Sequence, residues 1–270
     1  MKIIEAIEEK YNNLTKSEQR IANYYIENPK EATEKTLSEI STFAKCGEAT
    51  VVRFCKKAGY DSFKNFQLNL SLDLEKERQE KPDNFITDIV SNIESSITNT
   101  VQQLNLDNLT KAIKLIDNAK IVYCIGVGSS GLSAEICSMR FIRNGQLSYC
   151  IKDSHFQSML MNHLNSEDVL IAFSASGKSM DTIHCVEIAK QYHTRVVAIT
   201  NSTVSPLAQI SNIVLVTTRR HNPLTAGNLV LQINQIFLAD IITTGCSLLH
   251  EEDTISMKEK TYNSVKDKLY

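Results

Sequence analysis

The sequence predicts two domains: an all-α helical head, and an α/β domain built on a five-stranded parallel sheet flanked by helices. Three observations predict them. Leu14 to about Leu74 is helical in pattern, with marked helix starts. From Lys120 to about Thr218 short β-rich runs alternate with helical ones, the mark of βαβ units around a buried parallel sheet. Between the two regions LEKERQEKPD is dense in charge and has no apolar residue after its leucine, as a linker would. The expected boundaries are 1–78 for the head, 79–106 for linker and connecting helix, and 107–270 for the α/β domain.

In the head, Thr15 with Glu18 and Thr36 with Glu39 are capping boxes, with Leu14 placed as a hydrophobic staple for the first. Asn28-Pro29 ends the first of these helices, because proline pushes the preceding residue out of the helical region. Next come TLSEISTFA, a short break at Lys45-Cys46-Gly47, and EATVVRFCKKAG, a helix–turn–helix arrangement. At about 100° per residue, Thr50, Arg53 and Lys57 share one face of the second helix, while Val51, Cys55 and Ala58 share another. Arg53 can reach base edges or phosphates, Thr50 can meet a phosphate or a thymine methyl, and Lys56 and Lys57 can neutralise backbone charge. A solvated basic face on a helix pair fits the same periodicity, so spacing alone leaves both readings open.

Ile86, Ile89, Val90, Ile93 and Ile97 recur at helical spacing beyond the linker, and Asp107 is expected to cap the helix LTKAIKLIDNA. The five strands are IVYCI, LSYCI, DVLIAF, RVVAIT and NIVLVTT, and a long apolar helix from about Ala226 to Leu249 follows them.

Two of the strand-to-helix turns are alike. GVGSSG (Gly126 to Gly131) follows the first strand and SASGKS (Ser174 to Ser179) the third, and both are crowded with small residues and hydroxyls. Free backbone N–H groups at a helix start, joined by serine donors, suit a phosphate. GVGSSG also fits G-x-G-x-x-G, with Asp153 after the second strand where a ribose-binding acid would stand. Against that dinucleotide reading, a Rossmann site does not require a second hydroxyl-rich turn, and two such turns suit a phosphosugar better.

Composition narrows the class. With 270 residues, 42% hydrophobic and 22% charged, the chain reads as a globular protein. No run of about 18 apolar residues is seen, and MKIIEAIEEKY lacks the apolar core of a signal peptide. A cytoplasmic protein without membrane contact is expected. The net charge of −2 gives no global attraction to nucleic acid, so DNA binding has to come from a local basic face. Cys46, Cys55, Cys124, Cys137, Cys150, Cys185 and Cys246 are scattered, odd in number and without a C-x-x-C pair, and read as reduced packing residues. His155 falls in the loop after the second strand, where it can line a pocket; His163, His184, His193, His221 and His250 stand singly, at no metal-ligand spacing.

TKSEQRIANYYIENP followed by EATVVRFCKKAGYDSFKNFQ resembles the amino-terminal helix-turn-helix of the RpiR/MurR family of sugar-responsive regulators. The span from Lys120 to Thr218 resembles the sugar isomerase (SIS) domain that follows it in that family, its pieces GVGSSG, DSHFQ, SASGKS, AKQYHTRVVAITN and SPLAQISNIVL arriving in family order. The resemblance implies a transcriptional regulator that binds operator DNA through Lys45, Thr50, Arg53, Lys56 and Lys57 and senses a sugar phosphate. It places the phosphate on Ser130, Ser174, Ser176 and Ser179, with Ser129 beside them and Gly128 and Gly177 admitting close backbone approach. It implies a homodimer or homotetramer, no catalytic residue, no cofactor and no metal. The alternatives are a sugar-phosphate isomerase with a helical appendage and a dinucleotide-binding oxidoreductase. Three positions depart from the family pattern. Lys45 stands where a turn glycine is usual, Gly47 where a serine caps the recognition helix, and Asn228-Leu229 where a serine–arginine pair is common.

Overall fold

A computed structural model describes residues 3–79, 85–218 and 229–268, and the chain divides into two compact units, the first giving way to the second between Ile89 and Val90. The linker residues Lys81-Pro82-Asp83, His221 and Asn228 lie outside the described residues.

The first unit is helical: α1 (Ile3–Lys10), α2 (Lys16–Glu27), α3 (Pro29–Ala32), α4 (Leu37–Phe43), α5 (Glu48–Lys57) and α6 (Phe63–Gln79). Both capping boxes form. Thr15 accepts from the Glu18 amide while the Glu18 carboxylate accepts from the Thr15 amide at 2.9 Å, and Thr36 and Glu39 repeat the exchange. Asn28 ends α2 and Pro29 opens α3. The core joins Ile7, Ile21, Tyr25, Ile40, Val51, Phe54, Phe66 and Leu70. Tyr25 meets Phe66 edge-on at 5.0 Å and lies parallel to Phe54 at 6.1 Å, offset arrangements that aromatic rings prefer.

α7 (Phe85–Gln103) runs across the boundary between the units. The second unit then continues α8 (Leu106–Asp117), β1 (Val122–Gly126), α9 (Ser129–Arg143), β2 (Ser148–Cys150), α10 (Ser154–Met161), β3 (Val169–Phe173), α11 (Met180–Gln191), β4 (Arg195–Thr200), α12 (Pro206–Ile210), β5 (Ile213–Val216), α13 (Leu229–Leu249) and α14 (Glu251–Asn263). All strand pairs are parallel, in the order β2-β1-β3-β4-β5. Alternate residues of each strand enter opposite cores: Cys124, Ile171 and Val197 pack with α9 and α13, and Tyr123, Leu170 and Val196 with α10 and α11. Covering both faces is why β1 and β3 read as unbroken apolar runs.

Two expectations need correction. α8 is capped by Asn105, whose side chain accepts from the Asn108 amide at 2.9 Å; Asp107 falls inside the first turn and pairs with Lys111 at 2.6 Å. Asparagine and aspartate cap about equally well, so the choice between them falls to tertiary packing. The helix α7 forms where the isoleucine spacing places it; among its described side chains Ser96 and Thr100 are buried, while Ile86, Ile89 and Val90 of the apolar repeat are exposed. Finally, α13 is one helix long and apolar enough to cross a bilayer, with mean hydropathy 1.4. It packs on α8 and α9 and buries Asn234, Gln235 and Thr243 on that side. All seven cysteines are free thiols, and burial pushes Cys55, Cys150 and Cys246 up to about 12.

Candidate functional site

In the first unit, α4, the turn at Lys45–Gly47 and α5 form the helix-turn-helix. Val51, Phe54 and Cys55 are the buried face of α5, and Ala58 is half-buried. Phe54 is the apolar anchor that angular spacing overlooked; its rings partners on α2 and α6 decide its burial. Lys45, Arg53 and Lys56 are exposed, and Thr50 is half-exposed with its hydroxyl accepting from the Arg53 guanidinium at 3.0 Å.

Lys57 is occupied differently. Its ammonium donates to Glu18 at 2.7 Å, and that carboxylate is only 4% exposed. Burial alone would raise the Glu18 pKa. Hydrogen bonds from Lys57 and from the Thr15 amide and hydroxyl, with the Lys57 charge, reverse this and hold the carboxyl below its usual value. The Lys57 cation is therefore first a tie between α5 and α2, and the unspent positive charge lies at Lys45, Arg53 and Lys56.

The turn takes a conformation that glycine usually supplies. Lys45 has φ 48°, and Gly47 begins α5 without a side-chain cap. Arg20 of α2 holds the turn, its Nε donating to the Ala44 carbonyl at 2.7 Å and its guanidinium to the Lys45 carbonyl at 3.3 Å.

In the second unit, β1 and β3 are neighbours, with Gly126 in register with Phe173. The two serine turns therefore leave the carboxyl edge of the sheet side by side. This is also where strand order reverses, since β1 leads outward to β2 and β3 leads the other way to β4. Open α/β sheets bind ligands at such a point.

In the first turn Gly128 has φ 61° and caps α9, Ser129 is exposed and Ser130 is buried, its hydroxyl accepting from Gln235 Nε2 on α13 at 3.0 Å. In the second, Ser174 is buried at the end of β3 and Ser176 is exposed, its hydroxyl accepting from the Lys178 amide at 3.3 Å. Ser179 precedes α11 and accepts from the Thr182 hydroxyl at 3.1 Å. Gly177 has φ 63°, and a Cβ there would meet Ser205 Oγ, with Thr200 Oγ1 at 2.8 Å. The exit of β4 braces this turn further, as the Asn201 amide donates to the Ala175 carbonyl and the Leu207 amide to the Gly177 carbonyl.

Three polar residues were not foreseen as parts of this edge: Gln235, Ser205 and Gln157. Gln157 is fully buried and donates from Nε2 to the carbonyls of Gly126 at 3.0 Å and Ile151 at 2.6 Å, joining the start of the first turn to the exit of β2. The available signal for Gln235 was a pair of adjacent amides, Asn234-Gln235, in a largely apolar helix. Asp153, the acid of the dinucleotide reading, caps α10 by accepting from the Phe156 amide at 3.0 Å, and His155 is exposed in that helix's first turn. Among the described residues no group of three or more His, Cys, Asp or Glu is placed to hold a metal.

Residues 1–77 match the helix-turn-helix domain of the rpiR family, and residues 115–243 match the SIS domain. An uncharacterized HTH-type transcriptional regulator of Haemophilus influenzae is 32% identical over 268 residues, covering 94% of this chain and 93% of that protein. The chain belongs to the RpiR family. It is a transcriptional regulator with a helix-turn-helix and a SIS domain. Vibrio vulnificus NanR, solved in complex with ManNAc-6P, is 25% identical to this RpiR-family protein and superposes with a TM-score of 0.68, covering 99% of both chains. The sugar isomerase domain of an RpiR transcription factor from Sphaerobacter thermophilus shares the fold, with a TM-score of 0.61 at 18% identity over 67% of this chain and 99% of that one.

Proposed function

We propose that this regulator senses a phosphorylated sugar in the cleft between its two serine turns and thereby controls genes of sugar metabolism. One observation carries the reading: β1 and β3 are adjacent, so two hydroxyl-rich turns open onto the same crevice at the switch point of the sheet. Ser130, Ser174, Ser176 and Ser179, with the backbone at Gly128, Ser129 and Gly177, supply donors for a phosphate dianion. NanR was solved with a sugar phosphate, which supports the same ligand class here.

Operator DNA is read by α5 through Arg53 and Thr50, with Lys45 and Lys56 on phosphates and Lys57 contributing charge from its tie to Glu18. The protein acts in the cytoplasm as a homo-oligomer. Exposed apolar residues along α7 (Ile86, Ile89, Val90) and on α9 and α10 (Met139, Phe156, Met159) favour self-association. Two recognition helices would then address half-sites about 34–36 Å apart per turn of DNA. Sugar phosphate shifts the oligomer between arrangements through its differential affinity for them, without turnover.

A thermal-shift panel of phosphorylated hexoses, pentoses and amino sugars, including ManNAc-6P, with NAD and NADP as controls, tests the reading. A true effector at a hundred times its dissociation constant adds about 2.7 kcal/mol. Protection by dinucleotide alone, or conversion of a hexose phosphate in the same mixture, would overturn it.

A further inference from the structure

The second turn of α13 carries two consecutive buried amides, Asn234 and Gln235, each 1% exposed or less. Burying an amide is costly unless its groups are bonded, and each of these is bonded to a different partner. Gln235 Nε2 donates to Ser130 Oγ at 3.0 Å, in the first serine turn. Asn234 Nδ2 donates to Ser96 Oγ of α7 at 2.7 Å. Successive helical residues point about 100° apart, so one helical turn touches both the proposed cradle and α7.

The chemistry at Ser130 is directional. A serine hydroxyl has one proton and two lone pairs. With Gln235 donating to the oxygen, the proton of Ser130 is left to donate to an anion, and an anion that accepts it strengthens the Gln235 bond in turn.

On the other side of α13, Ser96 is keyed into the end of the sheet. Thr218, just after β5, donates from its hydroxyl to the Ser96 carbonyl at 2.8 Å and from its amide to Thr100 Oγ1 at 3.0 Å. Asn234 Oδ1, by contrast, is buried without a hydrogen-bond partner among the described residues. A half-satisfied amide at the junction gives up less on rearrangement than a fully bonded one.

We propose that Gln235 is the positioning residue that aims the Ser130 hydroxyl at the anion, and that Asn234 beside it makes α13 the element coupling cradle occupancy to α7. The proposal rests on the phosphosugar reading. α7 is the helix that runs across the boundary between the two compact units, so its response is the one that matters for regulation.

The test uses the full-length chain with inorganic phosphate as the probe, read by thermal shift and by hydrogen exchange of the α7 amides from 90 to 103. In the unmodified protein phosphate raises the melting temperature and slows α7 exchange. Gln235→Glu sets an acceptor against Ser130 and captures its proton. Phosphate affinity then falls about tenfold or more, the size expected when one charge-assisted hydrogen bond is lost. Asn234→Leu keeps phosphate binding and loses the α7 response. Ser96→Ala cuts the same link by removing one atom and gives the same result if the leucine variant fails to fold.

Undiminished phosphate affinity in Gln235→Glu, or an α7 response that persists in Ser96→Ala, overturns the proposal and leaves the phosphosugar reading standing. If neither phosphate nor any sugar phosphate protects the unmodified protein, that reading falls and the proposal with it.

Discussion

Lys57, in the last turn of α5, donates to Glu18, in the first turn of α2, across 2.7 Å. The same carboxylate closes the capping box with Thr15, so one buried acid both starts α2 and fixes α5 against it. Because its pKa is lowered in the fold, its stabilising effect is complete above the ordinary carboxylate value of about 4.3 and is lost as pH falls through the lower folded value. Glu18→Gln should cost about 1–3 kcal/mol at neutral pH and flatten the acid limb of stability against pH. Denaturant melts at several pH values check this, and parallel curves for the two proteins would contradict it.

Arg53 and Lys57 lie close on one face of α5 but should respond differently to mutation. Arg53→Ala should leave the melting temperature unchanged and weaken operator binding by about 1–3 kcal/mol if the side chain contacts a base. Lys57→Ala should lower stability as well, since it strips the partner from a carboxylate that is 4% exposed. Lys56→Ala should reduce affinity evenly across sequences and lower the salt slope by about one. Fluorescence anisotropy at several salt concentrations, paired with thermal melts, separates the three.

Ser176 is exposed at the proposed cradle, its oxygen accepting from the Lys178 amide. Ser176→Asp should therefore fold normally and lose protection by sugar phosphates, because a carboxylate would face the dianion. Retained protection in the thermal-shift panel would mean that the pocket lies elsewhere.

Gly177 combines a positive φ with backbone packed against Ser205 and Thr200. Gly177→Ala should destabilise the second unit by about 1–3 kcal/mol, measured by denaturant midpoint. Trimming Ser205 to alanine should recover only part of the loss, since the strain in φ remains.

Much of this was legible in the sequence because the signals were local. Thr15, Glu18, Thr36 and Glu39 sit three residues apart, and a capping box depends on nothing further away. β1 and β3 showed as unbroken apolar runs because helices cover both faces of the sheet there. What escaped depends on distant partners. The recruitment of Lys57 joins residues 39 apart, and the contact of Gln235 with Ser130 joins residues 105 apart. The burial of Ser96 and Thr100 in place of the isoleucines of α7 follows from hydrogen bonds to Thr218 and Asn234, which no periodicity announces.

The strained turn at Lys45 has a consequence for genetics. A left-handed lysine costs about 1–2 kcal/mol, and Arg20, on α2, is what secures its carbonyl and that of Ala44. A screen for alleles that fail to occupy the operator should thus return Arg20 substitutions beside those at Arg53, although the two act by different routes. Lys45→Gly relaxes the backbone but also removes the proposed Lys45 phosphate contact, so it should restore the stability of the Arg20 alleles more than their operator affinity and do nothing for the Arg53 alleles; stability and affinity read together would sort residues that shape the reader from residues that read.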